Sequence, residues 1–175
     1  MYSLPSSIIS IRDLNKEHVQ NILKYAKFLK ENPQRDLLKG NLLGCCFFES
    51  STRTRLSFEA AMKTMGGDII GFSDSKSTST SKGESFVDAI KTVSQYVDMI
   101  VVRHFQEGSA RLASEVTSIP IINAGDGSNQ HPTQALLDLF TIQEHFSNLE
   151  TLNIGICGDL LYGRTVHSLA QICSL

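Results

Sequence analysis

The sequence lacks two features that are typical of large classes of proteins. No apolar run approaches the roughly 18 residues of a membrane span, which excludes a membrane protein. There is no excess of positive charge, because 16 Lys and Arg residues against 18 Asp and Glu residues give a net charge of −2. A global field that would attract nucleic acid is therefore absent, and any anion site must come from a local cluster of cations.

Motifs of zinc sites, redox pairs and secretion are missing as well. The four cysteines have no CxxC spacing, and because all of them lie in apolar stretches we expect buried thiols (Cys45, Cys46, Cys157 and Cys173). The opening residues, Met1 to Pro5, have neither the basic nor the apolar region of a signal peptide. We therefore expect a cytoplasmic location.

What is present is a regular alternation of strand-like and helix-like segments. Short apolar runs predict strands at 42–48, 69–72, 99–102, 120–123 and 152–157. Apolar residues at helical spacing predict helices around 19–29, 52–66, 85–96, 110–115 and 132–142, and from about 165 onward. Such alternation predicts an α/β fold with a parallel sheet flanked by helices.

The 175 residues correspond to one domain, or to one domain and a short piece of a second. We predict a first domain over 1–148 and the start of a second, truncated α/β domain over 149–175, because one strand and one helix cannot bury both faces of a new sheet. Alternatively, the last strand and helix complete the first sheet.

Polar and cationic residues follow each predicted strand. In an open parallel sheet, ligands bind beyond the carboxyl ends of the strands. Five cations converge on this edge of a chain whose net charge is negative: Arg53, Arg55, Lys82, Arg103 and Arg164. The polar loop of residues 73–85 lies at the same edge and is long enough to be functional.

The segment after the first strand predicts an anion site. Ser51 and Thr52 open a helix, whose free N–H groups and dipole attract an anion, and Arg53 adds charge-assisted donors. Arg55 either contacts the same anion or anchors the fold through carboxylates. Since neither GxxxxGK[ST] nor GxGxxG occurs, a small phosphate-bearing molecule is a better candidate than a nucleotide.

Two motifs resemble those of the transcarbamoylases. Ser51-Thr52-Arg53-Thr54-Arg55 is similar to the carbamoyl-phosphate motif of that family, and His131-Pro132-Thr133-Gln134 is similar to its second signature. The run from Asn123 to Leu139 resembles the aspartate branch rather than the ornithine branch. The resemblance covers essentially the whole chain.

The resemblance implies roles for individual residues. The phosphate would be held by Ser51, Thr52, Arg53 and Thr54, and Arg103 would reach both the phosphate and the carbonyl oxygen. That oxygen would also be hydrogen-bonded by Thr54 and His131, while Gln134 would orient the carbamoyl amide. Arg164 resembles the ligand of the aspartate carboxylate, and Glu49 matches a residue that pairs with arginines.

The family also implies a reaction and an assembly. Carbamoyl phosphate and L-aspartate would give N-carbamoyl-L-aspartate and phosphate, in pyrimidine biosynthesis, by direct acyl transfer without a metal or a cofactor. Ser79 and Lys82 match residues that the family donates to a neighbouring subunit, which implies a homotrimer with shared sites. Regulatory chains are a further possible partner.

Two alternatives remain open from the sequence. One is an ornithine-type transcarbamoylase, which shares the phosphate motif. The other is a non-catalytic module that binds carbamoyl phosphate and trimerises, because the acceptor-binding domain of the family has no full counterpart in these 175 residues.

Overall fold

The computed structural model describes residues 4–74 and 83–175. Within these residues a 3-10 helix (Ile11–Asp13) precedes the regular elements. The strands are β1 (Leu42–Phe47), β2 (Asp68–Phe72), β3 (Met99–His104) and β4 (Ile121–Asp126). The helices are α1 (Lys16–Glu31), α2 (Thr52–Thr64), α3 (Phe86–Val93), α4 (Ser109–Val116), α5 (Pro132–His145) and α6 (Arg164–Ile172).

The strands form a parallel sheet in the order β2-β1-β3-β4. The central strand β1 pairs on both sides, with Gly44 opposite Ile70 of β2 and Ile100 of β3. Beyond β4, Ile8 forms an isolated parallel bridge, in which its N–H donates to the Ile121 carbonyl at 2.9 Å. The predicted α/β class with a parallel, helix-flanked sheet is confirmed.

Both faces of the central strands are buried, which explains their unbroken apolar sequences. Cys45 and Phe47 pack with Met62 of α2 on one face. Cys46 packs on the other face, in a cluster that includes Ile90 of α3. A separate cluster joins the 3-10 helix, α1, α5 and α6 through Ile11, Leu14, Val19, Leu23, Ala135, Leu136 and Ile172.

The predicted strand at 152–157 is wrong. Residues 152–157 have no strand or helix, and Ile154 is exposed. An apolar run forms a strand only when another strand lies beside it, and none does here among the described residues. The helix that follows begins at Arg164, close to its predicted start, and Ile172 on it is buried against α1 and α5. The pair therefore does not complete the sheet.

The prediction of four buried cysteines is half wrong. Cys45 and Cys46 are buried in β1, whereas Cys157 and Cys173 are exposed. Cys157 lies in the segment that does not form a strand, and Cys173 lies at the end of α6. None of the helices in the described part of the chain is long and apolar enough to span a membrane.

Candidate functional site

The loops that follow β1, β3 and β4 meet at the carboxyl edge of the sheet. Glu49 lies just after β1, Arg103 is the penultimate residue of β3, and Asp126 ends β4. Because β1 and β4 flank β3, the three loops lie side by side. Arg164, the first residue of α6, reaches this edge from the carboxyl-terminal part of the chain.

Glu49 connects the two arginines that define the centre of the site. Arg103 Nη2 donates to Glu49 Oε1 at 2.9 Å, and Arg164 Nη1 donates to Glu49 Oε2 at 3.3 Å. Burial by itself would raise the pKa of Glu49, but the hydrogen bonds and charges of Arg164 and Arg103 outweigh it and lower this pKa below its usual value. Glu49 is therefore an ionised partner that balances part of the positive charge.

Arg103 is buried, with a relative exposure of 8%. Its Nη1 donates to the Ala124 carbonyl at 3.1 Å, while its buried Nε has no hydrogen-bond partner among the described residues. Burial and the nearby charge of Arg164 lower the pKa of Arg103, and Glu49 partly offsets them. A guanidinium is always charged in proteins, so this group carries positive charge that the protein only partly satisfies.

Gly125 lets the two guanidiniums approach the backbone of β4. Its φ of +110° is rarely adopted by residues with a side chain. A Cβ at this position would lie 3.1 Å from Arg164 Cζ and 3.2 Å from Arg103 Nη1. Arg164 Nη1 also donates to the Gly127 carbonyl at 2.7 Å.

The N-terminus of α2 follows directly after Glu49. Ser51 is the N-cap residue, and its carbonyl accepts the helical hydrogen bond of the Arg55 N–H at 3.2 Å. The amides of residues 52–54 therefore precede the helical ladder, and no side chain of the described residues caps them. Thr52 and Arg53 are exposed, so this end is open to an anion.

Arg55 is paired along its own helix. Its Nε donates to Glu59 Oε1, one turn along α2, at 2.6 Å. The two arginines of this motif thus differ in their surroundings, because Arg53 is exposed beside the free amides of α2 while Arg55 is paired along the helix.

His131 is the N-cap residue of α5 and is 6% exposed. Its backbone N–H donates to Ser168 Oγ of α6 at 3.0 Å, and its Nδ1 lies 3.4 Å from Thr133 Oγ1. Burial, followed by the charges of Arg164 and Arg103, lowers the pKa of His131 to about 4, against smaller opposing effects of Asp126 and Glu49. The imidazole is therefore neutral at neutral pH and has one N–H to donate.

The loop that places His131 is built around Asp126, which is 2% exposed. Oδ1 of Asp126 accepts from Asn123 Nδ2 at 2.9 Å and from the Gln130 N–H at 3.1 Å. Oδ2 accepts from the Gly108 N–H at 2.8 Å and from Asn129 Nδ2 at 3.0 Å. One carboxylate thus joins the end of β4, the turn before α5 and the start of α4.

Gln134 lies in the first turn of α5, and its backbone N–H donates to the His131 carbonyl at 3.1 Å. Its side-chain Nε2 donates to Asp138 Oδ1, one turn further along the helix, at 2.8 Å.

The structure places most of the predicted site residues at one edge. Glu49, Arg103 and Arg164 are in direct contact, His131 is close enough to respond to their charges, and the 51–54 segment begins the helix beside them. Ser79 and Lys82 lie outside the described residues. The individual ligand roles remain predictions.

Three partners of the site had no role in the sequence analysis. Asp126 lies within a polar run after β4, but nothing in the sequence shows that its carboxylate is buried. Ser168 and Asp138 lie on helices at the positions that contact His131 and Gln134. Of these contacts, only the one between Gln134 and Asp138 has a signal in the sequence, because residues four apart on a helix lie next to each other.

Comparison with known proteins agrees with this arrangement. A family model described as "Aspartate/ornithine carbamoyltransferase, carbamoyl-P binding domain" matches residues 6–144. The aspartate carbamoyltransferase catalytic subunit of Thermococcus kodakarensis is 59% identical over 168 residues, which are 94% of this chain and 54% of the relative. The chain thus spans about half the length of the curated relatives it matches.

Solved structures give the same result. The catalytic subunit of M. jannaschii aspartate transcarbamoylase is 51% identical, with a TM-score of 0.88 over 97% of this chain and 57% of that one. Aspartate transcarbamoylase from Trypanosoma cruzi in complex with N-(phosphonacetyl)-L-aspartic acid is 36% identical, with a TM-score of 0.91 over 99% of this chain and 55% of that one. The parallel sheet, the site at its carboxyl edge and the match over residues 6–144 together show that the chain belongs to the aspartate/ornithine carbamoyltransferase family.

Proposed function

We propose that the chain forms the carbamoyl-phosphate-binding part of an aspartate carbamoyltransferase. The whole enzyme would transfer the carbamoyl group of carbamoyl phosphate to the amine of L-aspartate, in pyrimidine biosynthesis. The observation that carries the proposal is the open N-terminus of α2 beside two arginines that share one carboxylate. Relatives named for the aspartate reaction, rather than the ornithine reaction, support the choice of acceptor.

The phosphate group would bind at the start of α2. The free amides of residues 52–54 and the hydroxyls of Ser51, Thr52 and Thr54 are donors, and the exposed Arg53 adds a positive charge. Arg103 supplies a second guanidinium from β3. The exposed position of Arg53 and the buried position of Arg103 would let them contact the phosphate from two sides.

The carbonyl oxygen of the carbamoyl group would be held by Thr54, Arg103 and His131. This oxygen gains negative charge when the amine of aspartate attacks the carbamoyl carbon, so donors aimed at it stabilise the transition state. The neutral state of His131 fits this role, since it can donate from one nitrogen without being titrated. Gln134 would contact the carbamoyl amide, and Arg164 would bind a carboxylate of aspartate.

The bonds balance without a covalent enzyme intermediate. The amine nitrogen of aspartate forms a bond to the carbamoyl carbon, and the bond between that carbon and the phosphate oxygen breaks. The departing phosphate takes the proton that the amine loses. No separate general base is required for this step, and none is paired with a nucleophile in the motifs.

We further propose that the protein assembles as a homotrimer in which Ser79 and Lys82 of one subunit complete the site of the next. This rests on the resemblance of the loop to that of the family. Regulatory chains and a cytoplasmic location stay predictions from the sequence, as do domains at 1–148 and 149–175.

Calorimetric titration with phosphonoacetamide, a stable analogue of carbamoyl phosphate, tests the phosphate site. The oligomeric mass is determined on the same sample. We expect the chain to bind the analogue and Arg53→Ala to weaken binding at least tenfold, because a charge-assisted hydrogen bond to phosphate is lost.

The matched control is Arg55→Ala, which removes an arginine that is paired with Glu59 instead. We expect its affinity to stay within about twofold of the parent. Equal affinities for Arg53→Ala and the parent would contradict the placement of the phosphate. Turnover by the 175-residue chain alone would in turn exclude a module that only binds and assembles.

A further inference from the structure

The side chain of Gln134 has one end fixed by the protein. Its Nε2 donates to Asp138 Oδ1 at 2.8 Å, and the two residues lie one turn apart on the same face of α5. An ionised carboxylate only accepts hydrogen bonds, so the NH₂ end of the Gln134 amide must face Asp138. The Oε1 atom lies at the other end of the amide, and no donor in residues 4–74 or 83–175 reaches it.

We propose that Asp138 is a positioning residue that turns the Oε1 acceptor of Gln134 toward the ligand and thereby selects ligands that carry an NH₂ group beside the carbonyl. This inference rests on the proposed function, in which Gln134 contacts the carbamoyl amide. Gln134 lies next to the site, because its backbone N–H donates to the carbonyl of His131, the N-cap residue of α5 that is close enough to the two arginines to respond to their charges.

The chemistry of the amide explains why orientation matters. A carbamoyl group presents NH₂ donors, whereas an acetyl group of nearly the same shape presents a methyl group. If the Gln134 amide could rotate freely, its own NH₂ would face the ligand for part of the time, and donor would meet donor. With Nε2 bound to Asp138, Oε1 is available to a ligand NH₂ and is left without a partner by a methyl group.

A matched pair of ligands isolates this contact. Phosphonoacetamide and 2-oxopropylphosphonate share the phosphonate and the carbonyl and differ only in NH₂ against CH₃. Both are titrated calorimetrically into the 175-residue chain and into Asp138→Leu, Gln134→Leu and the double variant. Leucine favours a helix more than aspartate does, so α5 is retained in Asp138→Leu.

We expect the parent chain to prefer the amide about tenfold, which is the effect of one well-formed hydrogen bond. Asp138→Leu and Gln134→Leu should each reduce the preference to twofold or less, with no further change in the double variant. Affinity of Asp138→Leu for the methyl ketone should stay within twofold of the parent, because the phosphonate and carbonyl contacts are untouched. Asp138→Asn should retain most of the preference, since its side-chain oxygen can still accept from Nε2.

Glu144→Ala provides the control for a general effect on the helix. Glu144 is also on α5 and loses an exposed ion pair with Lys30 when it is replaced. Glu144→Ala should leave the preference for the amide over the methyl ketone unchanged. If Glu144→Ala lowers the preference as much as Asp138→Leu does, the selective role of Asp138 is wrong.

The outcomes separate this inference from the proposed function. Binding of both ligands with the parental preference intact in Asp138→Leu overturns the role of Asp138 and leaves the carbamoyl-phosphate site standing. Equal affinity of the parent chain for both ligands also overturns the role of Asp138 and leaves the carbamoyl-phosphate site standing. Failure of the parent chain to bind either ligand overturns the proposed function, and this inference with it.

Discussion

At the scale of single residues, the site combines a buried cation, Arg103, and a half-buried one, Arg164, with the buried neutral imidazole of His131. Arg103 and Arg164 lie close enough to His131 to oppose its protonation, and Glu49 balances only part of their charge. A protonated imidazole here would add a third positive charge to a poorly solvated place. The same environment that attracts an anionic ligand therefore keeps His131 neutral.

This neutrality has a consequence for acid stability. The folded-state pKa of His131 is about 4, below the usual value of about 6.5 for an unfolded chain. Between these values the unfolded state binds more protons, so stability is lost as the pH falls from about 6.5 to about 4. We expect His131 to contribute a loss of about 3 kcal/mol over this range.

Urea unfolding of the parent and His131→Asn between pH 7.5 and pH 4 measures this contribution. The variant lacks the titrating group, so the stability difference between the two proteins should shift in its favour as the pH falls. The ring nitrogens of His131, followed by NMR, should show the neutral imidazole, with one nitrogen protonated, above about pH 5. A midpoint near 6.5 in the folded protein would contradict the burial argument.

The sequence predicts which residues carry the chemistry better than it predicts their partners. Arg53, Arg103 and His131 follow strands or begin helices, and a parallel sheet brings such positions to one edge. The pairing of Arg103 and Arg164 with Glu49 agrees with what the resemblance implied, but it depends on side-chain directions that residue type alone does not determine. For Arg55 the motif left two alternatives, and its contact with Glu59 along α2 is not determined by the motif either.

At the scale of secondary-structure elements, Asp126 holds the residue that begins α4. Gly108 is the N-cap residue of α4 and has no side chain with which to cap it. Instead, the carboxylate of Asp126, at the end of β4, accepts from the Gly108 N–H at 2.8 Å. The same carboxylate closes the turn before α5 through the Gln130 N–H. The start of α4 and the turn before α5 thus depend on one side chain at the end of β4.

Replacing Asp126 with Asn should therefore destabilise the protein. Each carboxylate oxygen accepts two N–H groups, so an amide in either orientation would turn an NH₂ group toward two donors. Leaving buried groups unpaired costs about 1–3 kcal/mol for each, and we expect a loss of about 2–4 kcal/mol. Urea unfolding gives the free energy, and hydrogen exchange of the Gly108 amide should accelerate.

Asp159→Asn is the matched control. Asp159 also accepts two backbone amides, from Leu161 and Tyr162, but in an exposed turn where water can replace them. We expect its cost to stay below about 0.5 kcal/mol. Equal losses of unfolding free energy for Asp126→Asn and Asp159→Asn would show that the buried hydrogen bonds of Asp126 stabilise the protein no more than the exposed ones of Asp159.

The elements themselves differ in how far the sequence predicts them. Asn15 is a residue type that favours the N-cap position, and it forms a reciprocal capping pair with His18 at the start of α1. Local signals of this kind predict the helices α1 to α5 from the sequence. The apolar runs predict β1 to β4, each of which has a neighbouring strand to pair with. The run at 152–157 has the same apolar character but no strand beside it, and pairing is not a property of the run itself.

At the scale of the whole molecule, α6 belongs to the same packed core as α1 and α5. Ile172 is 2% exposed and packs with Leu23 and Leu136, while Ser168 is fully buried and accepts from the His131 N–H. Arg164, on the same helix, reaches Glu49. Packing in the core and the geometry of the site are therefore connected through one helix, although this helix follows a segment without regular structure.

Ile172→Ala tests whether α6 folds together with the sheet. Truncating a buried isoleucine leaves a cavity, so we expect a loss of about 2–4 kcal/mol in the unfolding free energy of the whole chain. Urea unfolding followed by far-UV circular dichroism measures it, and hydrogen exchange of Val101 in β3 reports whether the sheet is destabilised equally. Leu161→Ala removes an apolar side chain that is 69% exposed and should cost less than about 0.5 kcal/mol. If Ile172→Ala changed only the exchange of α6 amides and left Val101 unaffected, residues 149–175 would unfold separately from the sheet, as expected of the start of another domain.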